Sequence, residues 1–208
     1  MHDLIASLEQ ASRAVADTEL RDAPAHLVEL RRAFHAPIGD VWDACTNPER
    51  VRRWFLPLSG DLRAGGSFQL EGNAGGTITT CEPPHRLELT WQFGDTEPSL
   101  VSLELASAGE ETTEFVLRHT VPDDDHWAQF GPGAVGVGWE GALIGLTAFI
   151  AGEGRSSNGA QAMAAFMRRS AVLWGEAHEA AGATPAVASE AATRTGAFYA
   201  PTEPPSPR

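Results

Sequence analysis

The 208-residue chain is 42% hydrophobic and 21% charged, a globular balance, and a folded chain of this length buries roughly 70% of the surface its unfolded form exposes. Its formal net charge of −13 repels nucleic-acid phosphates and anionic headgroups, and the densest basic cluster is only Arg50, Arg52 and Arg53, so neither nucleic acid nor a membrane is an expected partner. Two cysteines make no disulfide framework, no stretch reaches the ~20 apolar residues of a bilayer span, and no signal pattern opens the chain, which together point to a cytoplasmic protein with reduced thiols.

In chain order, Leu4, Leu8, Ala11 and Val15 recur at helical spacing and predict an N-terminal helix over residues 1–22. The period then switches to two. Val28, Leu30 and Phe34 alternate along a strand over 27–34, with Arg32 on the same face, and Ala36-Pro37 ends it. Val41, Trp42 and Cys45 mark a short helix. Asn47-Pro48 starts another, since Asn is a good N-cap and proline fits the first turn. Strands follow over 67–71, 77–82, 86–93, 99–106 and 112–120, separated by Gly- and Pro-rich turns. In the third of these Leu87, Leu89, Trp91 and Phe93 alternate inward, and in the last Phe115, Leu117 and His119 do.

Asp123–Asp125 is an acidic helix start ahead of a short helical turn. A long helix is predicted from about Gly133 to Gly152, with Trp139, Leu143, Leu146 and Ile150 on one stripe. Gly136, Gly138, Gly141 and Gly145 interrupt it. Each costs about 1 kcal/mol in a helix interior, and close approach of helix to sheet is the expected reason. A Gly/Ser linker, a helical extension over 155–200 and a Pro-rich tail over 201–208, expected to be disordered, complete the chain. A strand-rich run closed by a helix makes an α+β fold. It is a curved antiparallel sheet of about six or seven strands wrapped around the long helix, and this main domain spans 23–154.

Several of these pieces resemble a known family. Ala36-Pro37, Val41-Trp42, Thr46-x-Pro48-Glu49 and Trp54-Phe55 are similar to the opening of the domain named after the activator of the heat-shock-protein-90 ATPase. Gly65-Gly66-x-Phe68, Pro83-Pro84, Leu89-Thr90-Trp91 and Gly138-Trp139 continue the match across about 27–154. The resemblance implies a helix-grip fold of the superfamily that holds START lipid-binding domains, polyketide cyclases and the major birch-pollen allergen. It also implies a hydrophobic small molecule as partner, lodged between sheet and long helix. No counterpart of the eukaryotic co-chaperone's additional N-terminal domain is expected, which weighs against a chaperone role.

The seven histidines show no metal-ligand spacing, and no nucleophile elbow, phosphate-binding loop or dinucleotide fingerprint occurs, so no metal, cofactor or catalytic set is expected. The expected cavity is lined by Trp91, Phe93, Leu117, Trp139, Leu143 and Leu146, nearer the Leu143–Ile150 half of the helix. His119 or Arg32 would be its polar contact. A binding protein is the leading expectation. A cyclase- or hydratase-type enzyme with His119 as acid–base and a co-chaperone-like interaction domain are the alternatives, and the first helix is a candidate homodimer contact.

Overall fold

The computed structural model describes residues 4–153 and 159–201. The middle of the expected Gly/Ser linker and the tail beyond 201 lie outside the described residues.

The N-terminus departs from the helical expectation. Helix α1 is only Leu4–Glu9, and the chain then extends into β1, Ala11–Leu20. Ala11 and Val15 continue the helical spacing of Leu4 and Leu8, but they are also an even number of positions apart. With Arg13 between them they form the half-buried face of a strand. A two-residue turn at Arg21 and Asp22, φ 53° and 64°, leads into β2, Ala23–Phe34. Such turns usually announce themselves with glycine or Asn-Gly, and Arg-Asp carries no such signature.

Helix α2 (Ile38–Thr46) and α3 (Pro48–Trp54) follow as expected, and the Asn47 side chain accepts from the Glu49 amide at 3.0 Å. The remaining strands are β3 (Leu58–Gly60), β4 (Ser67–Leu70), β5 (Gly75–Glu82), β6 (Arg86–Trp91), β7 (Ser99–Gly109) and β8 (Thr112–Pro122). They form one antiparallel sheet ordered β1-β2-β8-β7-β6-β5-β4-β3. Its eight strands exceed the expected six or seven because β1 and the three-residue β3 join it. The N-terminal hairpin enters beside β8, where Leu30 pairs with Leu117 and Phe34 meets Phe115 edge to face at 5.4 Å.

Asp124 caps α4 (Asp125–Phe130) by accepting from the Trp127 amide, and α5 (Gly133–Ile150) then crosses the concave face. Leu143 and Leu146 reach the core of Val28, Leu30, Phe115 and Leu117. The opposite side of α5 is covered too. Helix α6 (Ala160–Ala180) and α7 (Pro185–Tyr199) form a third layer, and Trp174 of α6, fully buried, belongs to the same core. The C-terminal extension is thus part of the packing of the main domain.

This layer explains the glycines of α5, and the reason differs from the expected one. A Cβ on Gly136 would run into the Trp174 ring, and one on Gly141 would press on Met167. Gly138 faces the Tyr199 hydroxyl of α7, and Gly145 backs onto the Trp54 carbonyl of α3. The glycines admit neighbouring helices, not the sheet. Covered on both sides, α5 is apolar nearly all round, as a buried helix is. Its length and composition alone would also let it cross a membrane, but its place between two layers accounts for that.

One charge is buried among these layers. Glu140 of α5 pairs with Arg13 of β1, with side chains 4% and 8% exposed, and accepts from the Ser170 hydroxyl of α6. Burial pushes the Glu140 carboxyl up, and Arg13 and Ser170 offset part of that rise.

Two expectations follow from this packing. Glu140→Ala lowers stability by about 3–5 kcal/mol in urea unfolding because Arg13 is left buried and unpaired, and the Arg13→Met/Glu140→Leu double variant recovers most of it. Gly136→Ala, which in an open helix stabilises by about 1 kcal/mol, here destabilises by about 1–3 kcal/mol because the methyl meets the Trp174 ring. Urea midpoints measured side by side check both signs.

Candidate functional site

Between the concave face and α5 lies a cavity of about 140 Å³. Its floor is the inward face of β5 to β8, including Leu89, Trp91, Val101 and Leu117. Its roof is Trp139, Ala142 and Leu143 of α5. Cys45 of α2 and Trp54 and Phe55 at the end of α3 close one side, and Leu58, Leu62 and Phe68 close another. Phe55, Leu58, Leu62 and Leu89 are only partly buried, so the apolar lining reaches the surface there.

Among the described residues no Asp, Glu, Lys, Arg or His lines this space. The polar atoms in its wall are few. The Thr46 hydroxyl is already donated to the Trp42 carbonyl at 2.8 Å. The indole N–H groups of Trp54 and Trp139 are donated to the Ala44 carbonyl and to His119. The lining also includes the Trp91 indole and two thiols, Cys45 and Cys81; burial pushes the Cys45 thiol up to about 12, so it stays protonated. Among the described residues no group of three or more His, Cys, Asp or Glu side chains could hold a metal ion.

His119 stands behind the wall. The Trp139 indole N–H donates to His119 Nδ1 at 3.1 Å. An indole nitrogen has no lone pair to offer, so Nδ1 is the acceptor and the ring proton sits on Nε2. Nε2 donates to Ser99 Oγ at 2.7 Å, and Ser99 Oγ donates to the Trp91 carbonyl at 2.9 Å. The chain has one direction and uses every polar atom of the ring. Protonating Nδ1 would break the bond to Trp139, and burial pushes the His119 pKa down to about 3. Near neutral pH the ring is therefore neutral and fully engaged. It acts as a strut between the Trp139 indole and, through Ser99, the backbone at Trp91, and the two indole rings lie 5.0 Å apart.

The structure brings four of the residues expected from sequence onto the cavity wall: Trp91, Leu117, Trp139 and Leu143. Four others lie elsewhere. Phe93 is 59% exposed, because β6 ends at Trp91 and the turn that follows breaks the alternation. Leu146 is buried in the main core, on a part of α5 beyond the cavity. Arg32 has the inward register, but β2 lies past β8, away from the cavity. Its guanidinium sits 4.9 Å from the Phe34 ring and donates to Gln10. His119 is one layer removed. The cavity also meets α5 at Trp139–Leu143, not along Leu143–Ile150, because Gly145 brings α5 against α3 at that end. Sequence reasoning missed the contributions of Cys45, Cys81, Phe55 and Leu62. Cys45, Phe55 and Leu62 lie on the two flanking helices and the loop after them, where no periodic signal aims a side chain across the fold. Cys81 lies on β5, beyond a register shift between Ile78 and Thr80 that breaks the alternation.

With this geometry in view, comparison with known proteins is informative. The profile of the family described as activator of Hsp90 ATPase homolog 1-like protein matches residues 35–151. Among solved structures, CalU16 from Micromonospora echinospora is 36% identical with a TM-score of 0.67, covering 78% of this chain and 97% of its own. DynU16, from the dynemicin biosynthetic locus, is 26% identical with a TM-score of 0.53, over 62% of this chain and 48% of its own. PFC0360w, an HSP90 activator from Plasmodium falciparum, shares the fold at 24% identity and a TM-score of 0.53, covering 61% and 96%. No curated protein matches the sequence.

The bond chain through His119 carries a pH signature. An unfolded imidazole titrates near 6.5 and the folded one near 3, so between these values the unfolded state binds the extra proton. The stability contributed by His119 is complete above pH 6.5 and falls as pH drops, by about 1.4 kcal/mol per unit. His119→Gln cannot titrate. Its deficit against the parent protein in urea unfolding is therefore largest at pH 7 and shrinks steadily toward pH 4. A deficit independent of pH contradicts a buried neutral ring.

Proposed function

The chain belongs to the activator of Hsp90 ATPase homolog 1-like family, and from that premise we propose that it binds an uncharged, apolar small molecule, polyketide-like or lipid-like, in the cavity between sheet and α5. The observation that carries this reading is the lining itself: an interior space walled by Trp91, Trp139, Phe55 and aliphatic side chains, with no charged group among the described residues. A buried charge on the ligand would find no partner there, and desolvating it is costly.

Size refines the reading. Pockets for drug-sized ligands hold about 300–1,000 Å³, whereas an apolar cavity of about 150 Å³ accepts a benzene-sized molecule. At about 140 Å³ the space takes one ring or a short branched chain. The rest of a larger ligand would emerge past Phe55, Leu58 and Leu62. The likeness to a protein of the dynemicin biosynthetic locus supports a product or intermediate of small-molecule biosynthesis.

Catalysis is the weaker alternative. A cyclase-type reaction in this cavity would rest on holding the substrate and excluding water, because both nitrogens of His119 are occupied. A co-chaperone role has only a shared fold behind it, since the HSP90 activator is 24% identical.

Native mass spectrometry of the freshly purified protein and a thermal-shift screen with uncharged aromatic compounds test the proposal. A ligand at 100 times its Kd stabilises by about 2.7 kcal/mol, which raises Tm by several degrees. Ala142→Phe, which fills the cavity from the α5 side, should fold and lose that rise. Binding that survives Ala142→Phe unchanged places the ligand elsewhere and refutes the cavity as its site.

A further inference from the structure

A second concavity, of about 530 Å³, lies on the outer face of the third layer, between α6 and α7. Its bed is small: Gly175 of α6 faces Ala188 and Ala192 of α7, and a Cβ at Gly175 would meet the Ala192 methyl. Helix α7 brings neither a charge nor a large side chain to the groove. All its charges stand on α6, at Arg168, Glu176 and Glu179, with Val172 between them and 46% exposed. The apolar side of α1, in contrast, is turned inward, where Leu4 and Leu8 cluster with Ile144 and Phe166.

The order of the α6 groups is antisymmetric about Val172. Arg168 precedes it by four residues and Glu176 follows it by four, a spacing that keeps all three on one helix face. With a rise of 1.5 Å per residue the two charges stand about 6 Å to either side of Val172. A two-fold axis through Val172, perpendicular to α6, sets two copies of the helix antiparallel. Each Arg168 then faces Glu176 of the second copy, with Glu179 of that copy a turn further on, and the two Val172 side chains meet at the axis.

We infer that the α6–α7 face is an interaction surface for a second copy of this chain, packed about a two-fold axis at Val172. An isologous contact requires a patch that complements itself. A base and an acid placed equally far from an exposed apolar residue meet that requirement, and a patch of one sign does not. The glycine and alanine bed leaves room for the side chains of an approaching helix. Within one chain these charges are loosely held. Glu176 lies 3.5 Å from Arg169 with both side chains about half exposed, and Arg168 donates to the Ala200 carbonyl at 3.4 Å. Glu176 keeps a second carboxylate oxygen, and Arg168 further N–H donors, for the other copy. The net charge of −13 opposes association at long range, but salt at physiological strength screens exposed charges beyond about 8 Å. The inference is independent of what the interior cavity binds.

Sedimentation equilibrium at physiological salt, from micromolar to near-millimolar protein, tests it. The parent chain shows a reversible monomer–dimer equilibrium. Arg168→Glu sets acids against Glu176 and Glu179 across the axis, and Glu176→Arg sets bases against Arg168. Each variant alone weakens self-association by about tenfold or more. An equimolar mixture of the two variants restores it, because both contacts of the mixed dimer then pair opposite charges, and a misfolded variant cannot be rescued in this way. A parent chain that stays monomeric over the whole range overturns the inference. A dimer that neither variant weakens lies on another face and overturns it equally. So does weakening that mixing leaves in place, since a contact complementary across the axis must recover.

Discussion

Helix α5 has no solvent side, and the fold is organised around that constraint. One stripe of it lies on the sheet and the other meets Trp174, Met167 and Tyr199 of the outer helices. Each covering is necessary, because a helix so apolar cannot leave either face in water without exposing a large patch. Small residues make the double covering geometrically feasible. Gly136 gives Trp174 the depth it needs to join the core, and Gly145 lets α3 approach close enough to seal one end. The glycines weaken α5 as an isolated helix, and tertiary contacts offset that weakness.

The cavity is what remains once these contacts are made. At the Gly145 end α5 and α3 touch, and at the Glu140 level the ion pair with Arg13 draws α5 toward β1. Between them, on the side of β5 to β8, aromatic walls keep helix and sheet apart. The Trp139 indole is not free to collapse into the gap, because the bonds running through His119 and Ser99 tie it to the backbone of β6 at Trp91. A polar chain with every group satisfied specifies a geometry that apolar packing alone leaves adjustable. In this reading the histidine contributes shape to the site and no chemistry.

Much of this was legible from residues alone, and the limits have physical causes. The alternation of Leu87, Leu89 and Trp91 and of Phe115, Leu117 and His119 gave the sheet's concave face, and the Trp139–Leu143–Leu146 stripe gave the helix's. Half of the expected wall followed directly. Phe93 failed because alternation holds only while the strand does, and Arg32 failed because register says which face a residue takes but not which strand neighbours it. The β1 hairpin was hidden by a spacing common to both periods and a turn without glycine. The glycines of α5 signalled close approach correctly, but a glycine does not name the surface that approaches it. Arg13, Glu140 and Ser170 lie on three separated segments, so no local pattern in any one of them announces the cluster.

That cluster also bears on the order in which the molecule is assembled. Arg13 is synthesised early, Glu140 late, and Ser170 and Trp174 later still, yet all four meet in one place. A nascent chain that has produced only the sheet and α5 exposes the back of α5 and leaves the Glu140 carboxylate without its hydroxyl donor. Contacts that span nearly the whole sequence form slowly, because the loop they close is long. The last layer to leave the ribosome is thus the one that completes the interior, and a chain interrupted before α6 presents its most apolar helix to the solvent.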